Sequence, residues 1–531
     1  MLDLKIHNGL IIDGMGSPAY PADIGISDDK IVLIGSIEQD ALETINAEGN
    51  IICPGFIDLH SHSDTSFLID SNAQSKLRQG VTLELNGNCG FSFSAPLKGP
   101  AIEIYRNTTF AESAEGIRTD WPSFSEYISV LKSTEMPINT ALQVGHNTIR
   151  ACVLGMDPRM PNLAELDNMR NLVSESLDAG AMGFSTGLVY TPGNYARLEE
   201  IIEISQEAAK RGKLYSTHMR DEGSQSIGLL VAVSEAIEIG RRTGAKVEIS
   251  HVKCKGPSVW GMGHQILEMM EQGIRDGIDL AGDQYPYTAS STFLSQALIP
   301  QWALAGGRNA TTSLINDADE KQNLLVAIRD RIAQYGTPEN VVISRHSPKP
   351  EFEGMTLAEI ATHNNSTAEE SAIELFMESD GGVILHTYSE EDVETIAQSS
   401  IISVGSDGSS LSTEGPLSSG KPHPRNFGTF PRFIRKFCRE KNLMPLTEAI
   451  RKMTSLPASR LGLLNRGRIA PGFAADIVIF DEDNITDNAT FDNPFEYPSG
   501  IKDVFVNGTH SIKSGEYTGK KSGRLITNFN D

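Results

Sequence analysis

The chain has 531 residues, 39% of them hydrophobic, which is enough for one large globular domain and a smaller one. Its formal net charge of −24 argues against binding to nucleic acid or to an anionic membrane surface, and no apolar run is long enough to span a membrane. Five scattered cysteines and an amino terminus without a basic leader predict a cytoplasmic protein that has no disulfide framework.

Both ends of the chain carry the pattern of short strands. Residues 1 to about 55 alternate as short strands with Gly and Asp turns, and the residues from about 466 onward do the same. We therefore predict one small β-sandwich domain made of residues 1–55 and 466–531, which brackets a larger domain made of residues 56–465.

The larger domain contains eight short apolar runs, and those in its middle lie about one strand and one crossover helix apart. Eight parallel strands with helices between them predict an α/β fold of the (β/α)8 TIM-like barrel type. The runs are F-I-D-L-H near residue 57, T-L-E-L-N near 82, A-L-Q-V-G-H near 141, A-M-G-F-S-T ending at Thr186, K-L-Y-S-T-H ending at His218, K-V-E-I-S-H ending at His251, I-D-L-A-G-D ending at Asp283 and I-I-S-V-G-S-D near 401.

The intervals between these runs have helical spacing. Leu166 and Met169 belong to an apolar stripe that predicts a helix, and Gly180 is placed to end it. A later stripe predicts a helix that runs from Ile227 to Gly240.

The interval after the seventh run is too long for an ordinary connection. It covers residues 288 to about 341 and has a helical pattern of its own, L-L-V-A-I-R-D-R-I, so we predict an insertion after strand 7. Insertions at the carboxyl side of a barrel often serve as lids or specificity elements.

Six residues that can bind a metal stand where apolar runs end. The carboxyl ends of parallel barrel strands point into one mouth, where barrel enzymes carry out their chemistry. Imidazole and thiolate ligands suit zinc, and a catalytic zinc keeps one position open for water. The six candidate metal ligands are His60, His62, Cys89, His218, His251 and Asp407.

The positions of three candidates suggest their roles. His60 and His62 are separated by one residue, so on a strand they point to the same side and can share one metal. Asp407, after the eighth run, could move the proton of a metal-activated water. Together these parts predict metal-assisted hydrolysis of an amide bond in a small-molecule substrate.

Several motifs resemble one enzyme family over nearly the whole chain. P-G-F-I-D-L-H-S-H, with the later histidines and aspartate, resembles the amidohydrolase superfamily. The closer resemblance is to its N-acyl-D-amino acid deacylases, the D-aminoacylases. It is carried by G-N-C-G-F-S, G-F-S-T-G-L-V-Y-T-P-G, S-H-V-K-C-K-G-P, D-Q-Y-P-Y-T-A and H-P-R-N-F-G-T-F-P-R.

The resemblance implies a zinc-dependent enzyme that releases a carboxylate and a free D-amino acid from an N-acyl-D-amino acid. Many relatives bridge two metals with a carboxylated lysine at the end of strand 4, but G-F-S-T-G-L-V-Y contains no lysine, and Cys89 would substitute for it. The implied ligands are Cys89, His218 and His251 for one tightly bound zinc ion, and His60, His62 and Asp407 for a second position that can be weakly filled or empty.

The resemblance also implies which residues handle the substrate. Asp407 would act first as the general base toward water and then as the acid that protonates the leaving amine. The α-carboxylate of the substrate would be bound by Lys253, Tyr285 and Arg425. Tyr190 would lie near the scissile carbonyl group. The two cations would supply the local positive charge that an anionic substrate needs on a protein of net charge −24.

One segment predicts the preferred side chain of the substrate. After Y-P-Y-T-A, the residues S-S-T-F-L-S-Q-A-L-I-P-Q-W include no Lys or Arg that could pair with an acidic side chain. Phe293, Leu294, Leu298 and Trp302 would instead form an apolar pocket wall. We therefore predict a neutral or hydrophobic side chain, an expectation that an arginine from another loop could overturn.

Two alternatives remain at this level. A dipeptidase or cyclic-amide hydrolase could use the same barrel, although the missing lysine on strand 4 counts against the cyclic-amide version. A non-enzymatic scaffold should have lost ligands, whereas all six candidates are present. The preference for D over L amino acids rests on the resemblance alone, and the oligomeric state cannot be read from the sequence.

Overall fold

A (β/α)8 barrel forms the centre of the molecule, which confirms the predicted fold. The computed structural model describes residues 1–93, 95–102, 118 and 120–531. The eight barrel strands are parallel, and each pairs with the next one along the chain. They are Phe56–Asp58, Val81–Asn86, Asn139–Gly145, Gly183–Gly187, Leu214–His218, Lys246–Ile249, Leu280–Gln284 and Ile402–Val404.

The barrel closes between its first and eighth strands, at a junction of residues 60–62 with residues 406–408 that we call the seam. Among the described residues, contact is made beyond the strand ends, where Ser61 and Gly408 form an isolated parallel bridge. The Asp407 amide donates to the His60 carbonyl at 2.8 Å, and the His62 amide donates to the Gly408 carbonyl at 2.9 Å. The seam therefore carries three of the six candidate ligands.

Helices surround the barrel and connect its strands. None of those in the described part of the chain is long and apolar enough to cross a membrane. The α-helices outside the insertion are Ser66–Ile69, Phe124–Lys132, His146–Leu154, Leu163–Ala179, Leu198–Ala209, Leu229–Thr243, Gly263–Arg275, Glu390–Gln398, Arg425–Phe433, Leu446–Met453 and Ser455–Leu461, and a π-helix covers Ile434–Glu440.

Local sequence sets the limits of these helices. Helix Leu163–Ala179 begins at a capping box, in which the Asn162 side chain accepts from the Glu165 amide and the Glu165 side chain accepts from the Asn162 amide. It ends at Gly180, as predicted, because a φ of 127° there suits glycine.

The predicted end of a later helix at Gly240 is wrong. That helix covers Leu229–Thr243 and ends at Gly244, whose φ is 70°. A Cβ atom at Gly240 would lie 2.7 Å from Ile278 Cγ2 and 2.8 Å from Val247 Cγ2. Gly240 therefore allows the helix to pack closely against its neighbours and does not stop it.

The two ends of the chain build one continuous nine-stranded sheet. They join where Ile477–Phe480 pairs antiparallel with Ile51–Pro54. Ile24 and Ile479 lie in the apolar cluster that the two ends share. The strands are Leu2–Ile11, Tyr20–Ser27, Lys30–Gly35, Ala41–Asn46, Ile51–Pro54, Ile477–Phe480, Ile501–Val506, Thr509–Lys513 and Glu516–Tyr517.

The insertion follows the seventh barrel strand and has its own core. Its antiparallel sheet places Gly382–Leu385 between Ser290–Phe293 and Val341–Arg345, so the unit continues past residue 341. The predicted pattern L-L-V-A-I-R-D-R-I lies in the helix Ala318–Gln334. The other helices are Leu294–Leu298, Arg308–Asn316, Leu357–Asn364 and Ala368–Glu378.

Candidate active site and metal centre

All six candidate ligands lie at the mouth of the barrel, where each ends or follows a barrel strand. Cys89, His251 and Asp407 have left-handed backbone angles, with φ values of 54°, 36° and 52°. Residues other than glycine rarely adopt this conformation, which costs about 1–3 kcal/mol and concentrates at functional sites. The backbone is therefore strained where three of the candidate ligands turn into the mouth.

Glycines on both sides of Cys89 explain the motif G-N-C-G. Gly87 has a φ of 78°, and a Cβ atom there would lie 2.2 Å from the Gln143 carbonyl oxygen. Gly90 has a φ of 77°, and a Cβ atom there would lie 2.3 Å from Asn147 Oδ1. The turn can press against the third barrel strand and the following helix only with glycine at both positions.

The candidate ligand atoms form two groups that share Cys89. Within each group all ligand atoms lie within 4.8 Å of one another. Cys89 Sγ lies 3.3 Å from His60 Nε2 and 3.4 Å from His251 Nε2. The first group is Cys89, His218 and His251, and the second is His60, His62, Cys89 and Asp407.

A cavity opens over three of these candidate ligands, His62, Cys89 and Asp407. Phe91 stacks on Phe93 with ring centroids 5.2 Å apart, and Phe93 meets Phe293 edge to face at 6.5 Å. All three rings line the cavity, as do Arg345 and Arg425. The cavity thus combines ligand atoms, aromatic surface and cations, a combination suited to a small anion with an apolar part.

Comparison with known proteins assigns the chain to a family. The model described as "Amidohydrolase family" matches residues 43–328 and 404–511. The chain belongs to the amidohydrolase family. D-aminoacylase from Alcaligenes xylosoxydans xylosoxydans is 33% identical, over 99% of this chain and 97% of that protein. N-acyl-D-glutamate deacylase from the same organism is 36% identical, over 96% of this chain and 93% of that protein.

One solved structure is similar to this chain in three dimensions as well as in sequence. It is N-acyl-D-glutamate deacylase from Bordetella bronchiseptica, complexed with zinc and a phosphonate inhibitor that mimics the tetrahedral intermediate of the reaction. Its TM-score with this amidohydrolase is 0.84 at 34% identity, and the match covers 99% of this chain and 100% of that chain.

The surroundings of Cys89 in this amidohydrolase favour the thiolate. All five cysteines are free. Burial raises the pKa of the Cys89 thiol, but His60 and His251 outweigh burial and hold the pKa well below its usual value. By contrast, burial raises the pKa of Cys254, which therefore stays a thiol. Since a metal binds the thiolate form, Cys89 is better suited than Cys254 to be a metal ligand.

The surroundings of His218 show whether the site fits a metal. Both of its ring nitrogens are buried and make no hydrogen bond to the described residues. Nε2 lies 3.3 Å from Glu222 Oε2, without the geometry of a hydrogen bond. A buried polar atom without a partner costs free energy, which coordination would remove. Two imidazoles and one thiolate fit a zinc site that keeps a fourth position open.

Asp407 is held as a carboxylate. Its Oδ1 lies 3.1 Å from His62 Nε2, and its Oδ2 lies 2.8 Å from Arg425 Nη1. Burial raises the pKa of Asp407, but Arg425 and His251 outweigh burial and hold it well below its usual value. Asp407 is therefore ionised, which is the form in which a general base acts.

The residues predicted to bind substrate occupy two positions. Arg425 and Tyr190 line the cavity, whereas Lys253 and Tyr285 are buried and are not among the residues that line it. The Arg425 guanidinium lies 4.9 Å from the centre of the Tyr285 ring, and Lys253 Nζ lies 5.9 Å from the same centre. The Tyr190 ring meets His218 edge to face at 4.6 Å, and burial holds its pKa well above the usual value, so the phenol stays neutral.

Glu222 belongs to the site, although the sequence pattern does not predict it. Its Oε1 lies 2.5 Å from Lys253 Nζ and 3.1 Å from His251 Nδ1. Burial raises its pKa, but His218, Lys253 and His251 outweigh burial and hold the pKa well below its usual value. A carboxylate behind ligand histidines orients their rings. Its only signal is its position four residues after His218, in T-H-M-R-D-E-G.

Asp283 also supports the candidate ligands. Its Oδ1 accepts from the His251 amide at 2.9 Å and lies 3.2 Å from His60 Nδ1. It therefore holds one histidine from each ligand group. The sequence marks it as the end of an apolar run, but nothing in the spacing indicates that its carboxylate turns toward histidines.

The predicted apolar pocket wall is only partly correct. Phe293 lines the cavity, but Leu294 and Leu298 lie in the core of the insertion. Trp302 is 47% exposed to solvent. The helix Leu294–Leu298 packs its leucines inward because the insertion has its own core. Arg345, at the end of an insertion strand, is an arginine from another segment that lines the same cavity.

Proposed function

We propose that this amidohydrolase hydrolyses the amide bond of N-acyl-D-amino acids and releases a carboxylate and a free D-amino acid. The observation that carries the proposal is the pair of ligand groups that share Cys89 at the mouth of the barrel. Full-length relatives named D-aminoacylase and N-acyl-D-glutamate deacylase support the same reaction.

The metal in this proposal is zinc. When bound, zinc would lower the pKa of a water molecule and polarise the carbonyl group of the substrate. The donor set supports a tightly held ion on the first group, because both ring nitrogens of His218 are buried without a hydrogen bond to the described residues. The ligands are Cys89, His218 and His251 for this ion, and His60, His62 and Asp407, with Cys89 shared, for a second, weaker position.

The protein groups divide the reaction between them. Arg425 binds the α-carboxylate, supported by Tyr285 under its guanidinium and by the charge of the buried Lys253. The neutral phenol of Tyr190 donates a hydrogen bond to the carbonyl oxygen. Asp407 accepts a proton from the attacking water and then delivers it to the amine nitrogen as the C–N bond breaks.

The first experiment compares paired N-acetyl-D and N-acetyl-L amino acids. With zinc supplied, we expect kcat/KM for the D forms to exceed that for the L forms by at least about 10²-fold, because a fixed carboxylate site and a fixed base accept one configuration. The release of free amino acid is the measurement. Turnover of neither form by zinc-loaded protein would contradict the proposal and favour the dipeptidase or cyclic-amide alternative.

The proposed side chain of the substrate is neutral, with an aromatic or aliphatic group against Phe91, Phe93 and Phe293. We expect N-acetyl-D-Leu, D-Met or D-Phe to exceed N-acetyl-D-Glu and D-Asp by at least about tenfold in kcat/KM, since a carboxylate against this aromatic wall loses its hydration. Arg345 favours the opposite candidate, a substrate with an acidic side chain.

Two variants separate these candidates. If the side chain packs on the aromatic wall, Phe293→Ala should lower kcat/KM for D-Leu by about tenfold and Arg345→Met should leave it nearly unchanged. The reverse pattern, measured with D-Glu, would assign the side-chain site to Arg345. The zinc content of both variants serves as the control.

A further inference from the structure

A buried lysine joins the two sides of the seam. Lys76 is fully buried and lies just before the short 3₁₀-helix Leu77–Gln79. Its Nζ donates to Asp58 Oδ2 on the first barrel strand at 2.5 Å and to the Ser406 hydroxyl after the eighth strand. A charged amine in this position links the segment before His60 to the residue before Asp407.

The partners of Lys76 hold the backbone at the candidate ligands. Asp58 Oδ1 accepts from the His60 amide at 3.2 Å and from the Ser406 amide at 2.9 Å. The Ser406 hydroxyl donates to the His60 carbonyl at 3.2 Å and accepts from the Gly408 amide at 3.0 Å. With Lys76 as second donor, this hydroxyl uses its one proton and both of its lone pairs.

This arrangement takes the place of a regular strand ladder. Among the described residues, the first and eighth strands meet only beyond their ends, where two backbone hydrogen bonds join them, from Asp407 to His60 and from His62 to Gly408. The distances from Asp407 Oδ1 to His62 Nε2 (3.1 Å) and to His60 Nε2 (3.5 Å) depend on the relative position of the two strands. The side-chain hydrogen bonds of Lys76, Asp58 and Ser406 therefore add to these two backbone bonds in holding the geometry across the seam.

We infer that Lys76 is a positioning residue, which acts through Asp58 and Ser406 to hold His60 and His62 in register with Asp407. The inference rests on the proposed function, because Asp407 is the group whose placement matters for proton transfer. Lys76 is not among the residues that line the cavity, so it acts without contact to the substrate. A displacement of about 1 Å at such a site can lower the rate about 10²-fold.

The cleanest test removes one hydroxyl and leaves no charge unpaired. Ser406→Ala should lower kcat by at least about tenfold and change KM less than about threefold, because the loss concerns the transition state. Ser403→Ala is the matched control. Ser403 is also buried on the eighth strand, but its hydroxyl donates to the Gly282 carbonyl at 3.3 Å, away from the seam. Its kcat should stay within about twofold of the original.

A second variant tests the ion pair itself. Lys76→Met combined with Asp58→Asn removes both charges together, so neither is left buried without a partner. We expect kcat to fall about 10²-fold and the weaker zinc position to lose at least about tenfold in affinity in a calorimetric titration with Zn²⁺. Lys452→Met is its control, since Lys452 is equally buried but donates to the Ser399 carbonyl.

Circular dichroism and Tm first establish that each variant is folded. A fall in kcat or a change in zinc binding that both controls lack supports the positioning role. Folded Ser406→Ala and double variants with the original kcat and the original zinc titration would overturn it, since Lys76 would then serve stability alone. If the original protein hydrolyses no N-acyl-D-amino acid, the proposed function fails, and the zinc titration still decides this inference.

Discussion

Asp407→Asn is expected to abolish hydrolysis and to leave zinc bound at Cys89, His218 and His251. The amide has the size of the carboxylate but cannot accept the proton of the attacking water, so kcat should fall by at least about 10³-fold. Because Arg425 and His251 hold the pKa of Asp407 well below its usual value, the original residue is ionised at neutral pH. The loss in the variant is therefore the loss of a base.

Zinc content and turnover, measured on the same sample, show whether Asp407 acts as a base or as a ligand. Asp407 belongs only to the second ligand group, so its replacement should cost at most the weaker ion. Zinc retained without turnover assigns proton transfer to Asp407. Loss of all zinc together with activity would contradict this assignment and would make Asp407 chiefly a ligand.

The sequence predicts both the barrel and the place of the candidate ligands, because both depend on where the strands end. Six residues that can bind a metal stand where apolar runs end, and parallel strands bring such ends to one mouth. This reasoning needs no knowledge of side-chain direction, because every residue at the mouth lies near the same axis. It therefore finds His218 and His251, although they lie far from His60 in the chain.

Other features depend on contacts between distant segments, which spacing does not record. Glu222 turns toward two histidines, and Lys76 crosses the seam to Ser406. The leucines of the helix after Phe293 face the core of the insertion, so the same apolar pattern fits a pocket wall and a core equally well. A glycine in a helical pattern is likewise compatible with two roles, a helix end and a close packing contact, and Gly240 has the second role.

Cys89→Ala is expected to have the largest effect on the metal. Cys89 is the one residue present in both ligand groups, so its loss weakens both positions at once. Removing the thiolate should release the tightly bound zinc and lower kcat by at least about 10³-fold, since the metal supplies several kcal/mol of transition-state stabilisation. Metal analysis after dialysis, together with kcat, is the measurement.

Two comparisons separate a shared ligand from a merely buried thiol. Cys254→Ala removes a buried cysteine three residues after His251, one whose pKa is raised by burial, and it should keep both zinc and turnover. His62→Ala removes a ligand of the second group alone and should keep the tight ion. If Cys89→Ala instead retained the tight ion as His62→Ala does, Cys89 would belong to one position only. Zinc held by His218 and His251 without a thiolate would then need another donor, and Glu222 is the described carboxylate nearest to both rings.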